Sequence, residues 1–223
     1  MAKALLDEPR LVKNVLSASV RRLLLYQLAV MDQAGTLEGV ELEDCVMLYG
    51  VQPLEAVLAD LRLRIGQVVG IDLAPSYSFL WRYGRGAVVE QHTDRKASQI
   101  VATVQLASSD RKPWPFQVQA GDGLVSLEQE SGDAIVIAGT HWPHWREECP
   151  SEWRLQLVLS FVPDRRGQRR FDGRAALGMP PLEEVKEMPT TSVTLGIDWA
   201  DVLSDRHIGG AAAVTGCAAV QIT

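Results

Sequence analysis

From residue 67 to 163 the chain reads as short apolar stretches cut apart by glycine, proline and aspartate, and few folds are compatible with that texture. Residues 99–106 alternate cleanly, with Ile100, Ala102, Val104 and Leu106 opposite Gln99, Val101, Thr103 and Gln105. A period of two is the signature of a strand with two distinct faces. Residues 76–83 are rich in aromatic side chains, and 124–127, 134–137 and 154–161 are further strand candidates. Their spacing is that of a barrel or sandwich.

The first 66 residues have a different pattern and read as a helical region. Leu11, Val15, Leu16, Leu23, Leu24, Leu28 and Met31 recur at roughly helical spacing until Gly35 and Gly39 interrupt. A second helix is expected from Glu41. A third is expected over 53–65, with Leu54, Val57, Leu58, Leu61 and Ile65 on one stripe, Pro53 in its first turn and Gly66 at its end. Beyond Pro163 periodicity decays through a basic cluster of Arg165, Arg166, Arg169, Arg170 and Arg174. The expected organisation is a helical region over 1–66, a mainly β core over 67–163 and a partly irregular extension over 164–223.

With 223 residues, 47% of them hydrophobic, the chain can bury a substantial core without disulfides. Twenty-two basic against twenty-eight acidic residues leave a net charge of −6, which argues against a nucleic-acid-coating surface. The basic cluster is therefore read as a solvated connection. Three cysteines, Cys45, Cys149 and Cys217, share no metal-ligand spacing and fit reduced thiols in a cytoplasm. No stretch reads as an export signal or membrane span.

Of four histidines, three lie in two short stretches. His92-Thr93-Asp94 sets an imidazole and a carboxylate two residues apart, which in a strand sends both to one face. His141-Trp142-Pro143-His144 brings further imidazoles some fifty residues later. Two histidines and one carboxylate make a facial triad that leaves three adjacent positions open on an octahedral iron. A lone His-x-Asp is more commonly a surface hydrogen-bonding pair, so the order of the surrounding motifs decides.

The run Ser76-Tyr77-Ser78-Phe79-Leu80-Trp81-Arg82-Tyr83-Gly84-Arg85-Gly86, followed by His92-Thr93-Asp94-Arg95, resembles the proximal half of the iron(II)- and 2-oxoglutarate-dependent dioxygenases, in their prolyl-4-hydroxylase-like branch. Gly132-Asp133-Ala134-Ile135-Val136-Ile137 and His144-Trp145-Arg146-Glu147 resemble the distal half. The likeness covers roughly residues 70–162. It implies a double-stranded β-helix (a jelly roll) supported by the N-terminal helices, with iron(II) and 2-oxoglutarate. Dioxygen would oxidise a carbon–hydrogen bond of a small-molecule or peptidyl substrate, leaving succinate and carbon dioxide.

Carried over, the resemblance implies His92, Asp94 and His144 as iron ligands. His144 is preferred to His141 because it heads the His-Trp-Arg-Glu stretch. A guanidinium suits the far carboxylate of the cosubstrate. Arg154, ten residues after His144, is preferred, with Arg146 as competitor. Tyr77, Tyr83, Gln99 and Thr103 are weaker candidates for the cosubstrate pocket, and Trp81, Trp142 and Trp145 for packing. Arg95 either orients Asp94 or touches substrate, or is a solvated loop residue.

Other chemistries find no support. Gly84-x-Gly86 lacks the third glycine of a dinucleotide fingerprint, and neither a P-loop nor His-Glu-x-x-His occurs. The cysteines lack a histidine base, and Glu147-Glu148 has no second carboxylate motif. Two rivals remain: a cupin-like metal protein without oxygenase activity, lacking a carboxylate-binding arginine in the barrel, and a non-catalytic interaction domain. Geometry separates them, since ligand atoms further apart than about 5 Å would end the oxygenase reading.

Overall fold

The computed structural model describes residues 5–121, 123–164 and 190–204. The basic cluster from Arg165 to Arg174, Cys217 and the chain's last residues lie outside the described residues. Twelve strands and three helices are described in order: β1 (Arg10–Val12), α1 (Ala18–Gln33), β2 (Glu38–Glu41), β3 (Cys45–Tyr49), α2 (Gln52–Val69), β4 (Leu73–Gly84), β5 (Val89–His92), β6 (Ile100–Ser108), β7 (Phe116–Ala120), β8 (Gly123–Leu127), β9 (Ala134–Ile137), β10 (His144–Arg146), β11 (Trp153–Pro163), β12 (Thr191–Ser192) and α3 (Trp199–Val202).

Two antiparallel sheets result, one ordered β1-β9-β6-β11-β4-β3-β2-β12 and one ordered β5-β10-β7-β8. From β4 to β11 the chain passes back and forth between them, which is the double-stranded β-helix that the strand pattern and the resemblance predict. In β6 both faces are buried. Ile100, Ala102, Val104 and Leu106 are sealed in the core, while Val101 and Thr103 face a cavity between the sheets.

The helices back the larger sheet. Ser17 caps α1, its hydroxyl accepting from the Val20 amide, and Leu24, Leu25, Leu28 and Ala29 are buried. In α2 the expected stripe of Leu54, Val57, Leu58, Leu61 and Ile65 is the buried face. That helix runs past Gly66 and ends at Gly70, whose φ of 78° gives the left-handed cap that glycine adopts without strain. Its Glu55 carboxylate is buried and accepts from the Ser78 amide and hydroxyl, fixing helix to β4.

Two local expectations differ from the structure. Leu11 belongs to a strand, β1, and the helix begins only at Ala18. The segment from Glu41 is strand, with Cys45–Tyr49 laid along Phe79–Tyr83 of β4. Val46 and Leu48 suit either period over so short a run, and the open backbone of β4 decides in favour of pairing.

Candidate metal centre and its cavity

His92 closes β5, His144 opens β10, and the two are directly paired across the smaller sheet. Asp94 follows in the loop after β5, its amide donating to the Gly139 carbonyl at 2.8 Å. His92 Nε2 lies 3.7 Å from Asp94 Oδ1 and His144 Nε2 lies 3.6 Å from Asp94 Oδ2. All three ligand atoms fall within 4.8 Å of one another.

The rings are held in one sense by the backbone. His92 Nδ1 lies 2.7 Å from the Glu90 carbonyl oxygen, and His144 Nδ1 lies 2.9 Å from that of Trp142. A carbonyl only accepts, so each Nδ1 carries the proton and each Nε2 presents a lone pair. This is the arrangement that orients metal-binding imidazoles. Burial lowers the pKa of His144, which favours the neutral ring. The neighbouring Asp94 carboxylate raises that of His92 against the opposing effect of burial.

The donor set fits a divalent metal. Asp94 Oδ2 is buried and has no hydrogen-bond partner, an arrangement that costs free energy unless a cation is shared there. Donors about 2.1 Å from one ion stand about 3 to 4 Å apart, close to the spacing found. His141 is exposed in the turn after β9 and lies outside the cluster.

The triad borders a cavity of about 870 Å³. Arg146, Tyr77, Tyr83, Thr103 and Trp81 line it, whereas Gln99 and Arg154 do not. Arg146 is buried, donating to the Trp114 carbonyl and to Gln129 Oε1, with its guanidinium over the rings of Trp114 and Phe116. No carboxylate pairs with it among the described residues, and burial lowers its pKa. An anion is the complement such a site calls for.

Arg154 lines a second cavity instead. It donates to Ser151 Oγ, Gln105 Oε1 and the Lys112 carbonyl, and lies 3.9 Å from Asp110. Of the two arginines, Arg146 therefore borders the triad's cavity and Arg154 does not. Arg95 Nε donates to the Tyr77 hydroxyl at 2.8 Å and its guanidinium covers that ring. Tyr77 also bonds Ser98, which donates to Ser160 at 3.2 Å. Burial pushes the Tyr83 hydroxyl above its ordinary value, keeping it a neutral phenol. Trp142 is core, while Trp145 donates to Glu147 at the surface.

Sequence reasoning missed Gly139. A Cβ there would lie 2.1 Å from Asp94 Oδ2 and 2.8 Å from the Ser98 carbonyl. The signal was a glycine shortly before the distal histidine, which pattern alone cannot tell from an ordinary turn glycine. Gly132 and Asp133 serve packing rather than chemistry. Asp133 accepts from Lys13 and from the amides of Asn14 and Glu130.

No protein-family model and no curated protein matches the sequence. Solved structures do share its fold. A Pseudomonas putida prolyl-4-hydroxylase superposes with a TM-score of 0.56 at 20% identity, covering 71% of this chain and 94% of that one. The non-heme alpha-ketoglutarate-dependent epimerase SnoN from nogalamycin biosynthesis gives 0.59 at 11% identity, covering 78% and 90%. HygX from Streptomyces hygroscopicus, solved with nickel and 2-oxoglutarate bound, gives 0.53 at 13% identity, covering 78% and 90%.

Proposed function

We propose that this chain is an iron(II)- and 2-oxoglutarate-dependent oxygenase that hydroxylates a carbon–hydrogen bond of a small-molecule, peptide or protein substrate. The observation that carries the reading is the convergence of His92 Nε2, His144 Nε2 and the Asp94 carboxylate within 4.8 Å. The cavity arginine separates it from the cupin-like rival, because a plain metal protein has no use for an uncompensated guanidinium beside its metal. The solved neighbours fit the same reading, HygX holding nickel and 2-oxoglutarate on this fold.

His92, His144 and Asp94 would hold the metal, and iron(II) there supplies the coupling of 2-oxoglutarate oxidation by dioxygen to oxidation of the substrate. The protein's own residues do the positioning. The carbonyls of Glu90 and Trp142 fix the two rings, and Gly139 leaves room for the Asp94 carboxylate. Arg146 would take the far carboxylate of 2-oxoglutarate through the donors that its bonds to Trp114 and Gln129 leave free. Gln156, buried with an unpartnered Nε2 and lining the same cavity, supplies a further donor.

No helix among the described residues is long and apolar enough to cross a membrane. A cytoplasmic site of action is part of the proposal, supported by free thiols at Cys45 and Cys149. The test is succinate formation from 2-oxoglutarate with added iron(II), comparing the natural chain with His92→Ala. Turnover is expected in the former and a loss of about 100-fold or more in the latter. Absence of any iron-dependent turnover across a broad substrate panel would sink the reading.

A further inference from the structure

We infer that the substrate is a planar, multi-ring, largely apolar small molecule laid along an aromatic wall on β4; the inference rests on the oxygenase reading. Tyr77, Phe79, Trp81 and Tyr83 alternate along β4 and all line the cavity that holds the triad. The intervening Ser78 and Leu80 are fully buried on the opposite face, where Ser78 is bonded to Glu55 of α2. The pleat therefore delivers four consecutive rings to one surface.

These rings form a continuous ladder. Centroids are 5.2 Å apart from Tyr77 to Phe79, 6.2 Å from Phe79 to Trp81 and 5.5 Å from Trp81 to Tyr83. The last pair is stacked, with planes only 10° apart. Tyr49 of β3 widens the ladder, 4.9 Å from Phe79 and 5.8 Å from Tyr77.

The ladder is not ordinary core. Tyr77 is buried, but Tyr49, Phe79, Trp81 and Tyr83 are only half-buried, and all five border the cavity. Aromatic rings are costly to leave wet on this scale and gain most from another flat ring. At about 870 Å³ the cavity falls in the range of small-molecule sites and exceeds what 2-oxoglutarate alone needs. Leu42 and Val88, both exposed, give its mouth apolar lips.

A peptide fits the same surface poorly. Strand addition needs a free backbone edge, and β4 is paired along its length by β11 on one side and over Phe79–Tyr83 by β3 on the other, where the Ser78 amide and carbonyl are also taken, by Glu55 and Gly50. β5, the edge strand beside the cavity, has four residues, and its Glu90 carbonyl is taken by the His92 ring. The wall offers a substrate aromatic surface rather than backbone partners.

The test is equilibrium dialysis of the full chain against 9-phenanthrol, a flat three-ring phenol, against cyclohexanol, and against a proline-containing decapeptide. Cobalt(II) binding is measured on the same proteins. 9-Phenanthrol is expected to bind, and Trp81→Ala and Phe79→Ala to weaken it about tenfold. Trp81→Leu, which keeps apolar volume but loses the ring face, should weaken it as well. Cobalt(II) binding should survive all three variants, which also reports that they fold, and should be lost in His92→Ala. Cobalt(II) binding without 9-phenanthrol binding, or decapeptide binding that depends on Trp81, overturns the substrate class and leaves the oxygenase reading standing. Loss of cobalt(II) binding by the natural chain overturns the oxygenase reading itself.

Discussion

Gly139 governs the Asp94 carboxylate from behind. A methyl group there collides with Asp94 Oδ2 at 2.1 Å and with the Ser98 carbonyl at 2.8 Å. The carboxylate is the softer of the two and swings first. Gly139→Ala should therefore weaken metal binding about 10- to 100-fold, the scale of other disturbances behind a metal ligand. Calorimetric titration with cobalt(II) measures it, and unchanged affinity would mean that Asp94 is not a ligand. The two arginines make a second comparison. Arg146→Gln should raise KM for 2-oxoglutarate about tenfold or more through the lost charge-assisted bonds. Arg154→Gln should leave KM in place and lower Tm, because Arg154 holds Ser151, Gln105 and the Lys112 carbonyl. The opposite assignment of effects would restore the sequence-based preference. The sequence alone does not place the two arginines at their depths. Counting by twos tells which face a side chain takes but not its depth along the barrel. Both guanidinia sit against Trp114, at 4.6 and 5.7 Å from its ring centroid, and only Arg146 reaches the triad's cavity.

At the level of elements, long patterns were readable, as were short all-apolar strands such as β9, but the short strands of the first fifty residues were not. The α2 stripe and the β6 alternation each run far enough for one period to exclude the other. β2 and β3 span four and five residues, and β1 three. Their pairing is decided by backbone edges contributed from distant sequence, β9 in the case of β1. Asp133 shows how such an early segment is secured. It is nearly sealed from solvent, yet its pKa is lowered: burial opposes the charge, but hydrogen bonds from Lys13 and from the Asn14 and Glu130 amides outweigh it. The Lys13 hydrogen bond is the largest of these, and the two amides add to it. Asp133→Asn keeps one acceptor and should cost about 1 to 3 kcal/mol, a drop in Tm of several degrees. Because the folded-state pKa lies below the ordinary carboxylate value of about 3.9, this stabilisation is complete above that pH and is lost as pH falls through the folded value. Thermal melts between neutral pH and about pH 3 should show the two proteins converging on acidification. A constant gap would mean that the carboxylate charge is not involved.

Taken whole, the molecule joins its site from two halves of the sequence. His92 and Asp94 come from the first half of the β core and His144 from the second, and the pairing of β5 with β10 in the smaller sheet brings them together. The order of motifs was legible because it follows the chain; the cavity was not, because its walls gather Tyr49, Tyr83, Phe116 and Arg146 from four different strands. The same topology makes the metal a cross-link of the folded state alone. An unfolded chain with these donors some fifty residues apart gains little from binding, so metal should stabilise by mass action. At a free concentration about 100 times Kd the gain is about 2.7 kcal/mol, and for a chain of this size that corresponds to roughly 5 to 10 °C in Tm. Scanning calorimetry with cobalt(II), then with excess chelator, should show the rise and its reversal. His92→Ala should show neither, since two remaining donors hold an ion too weakly to matter at that concentration. A rise that persists in His92→Ala would place the bound metal elsewhere on the protein and separate the triad from the stability it is expected to provide.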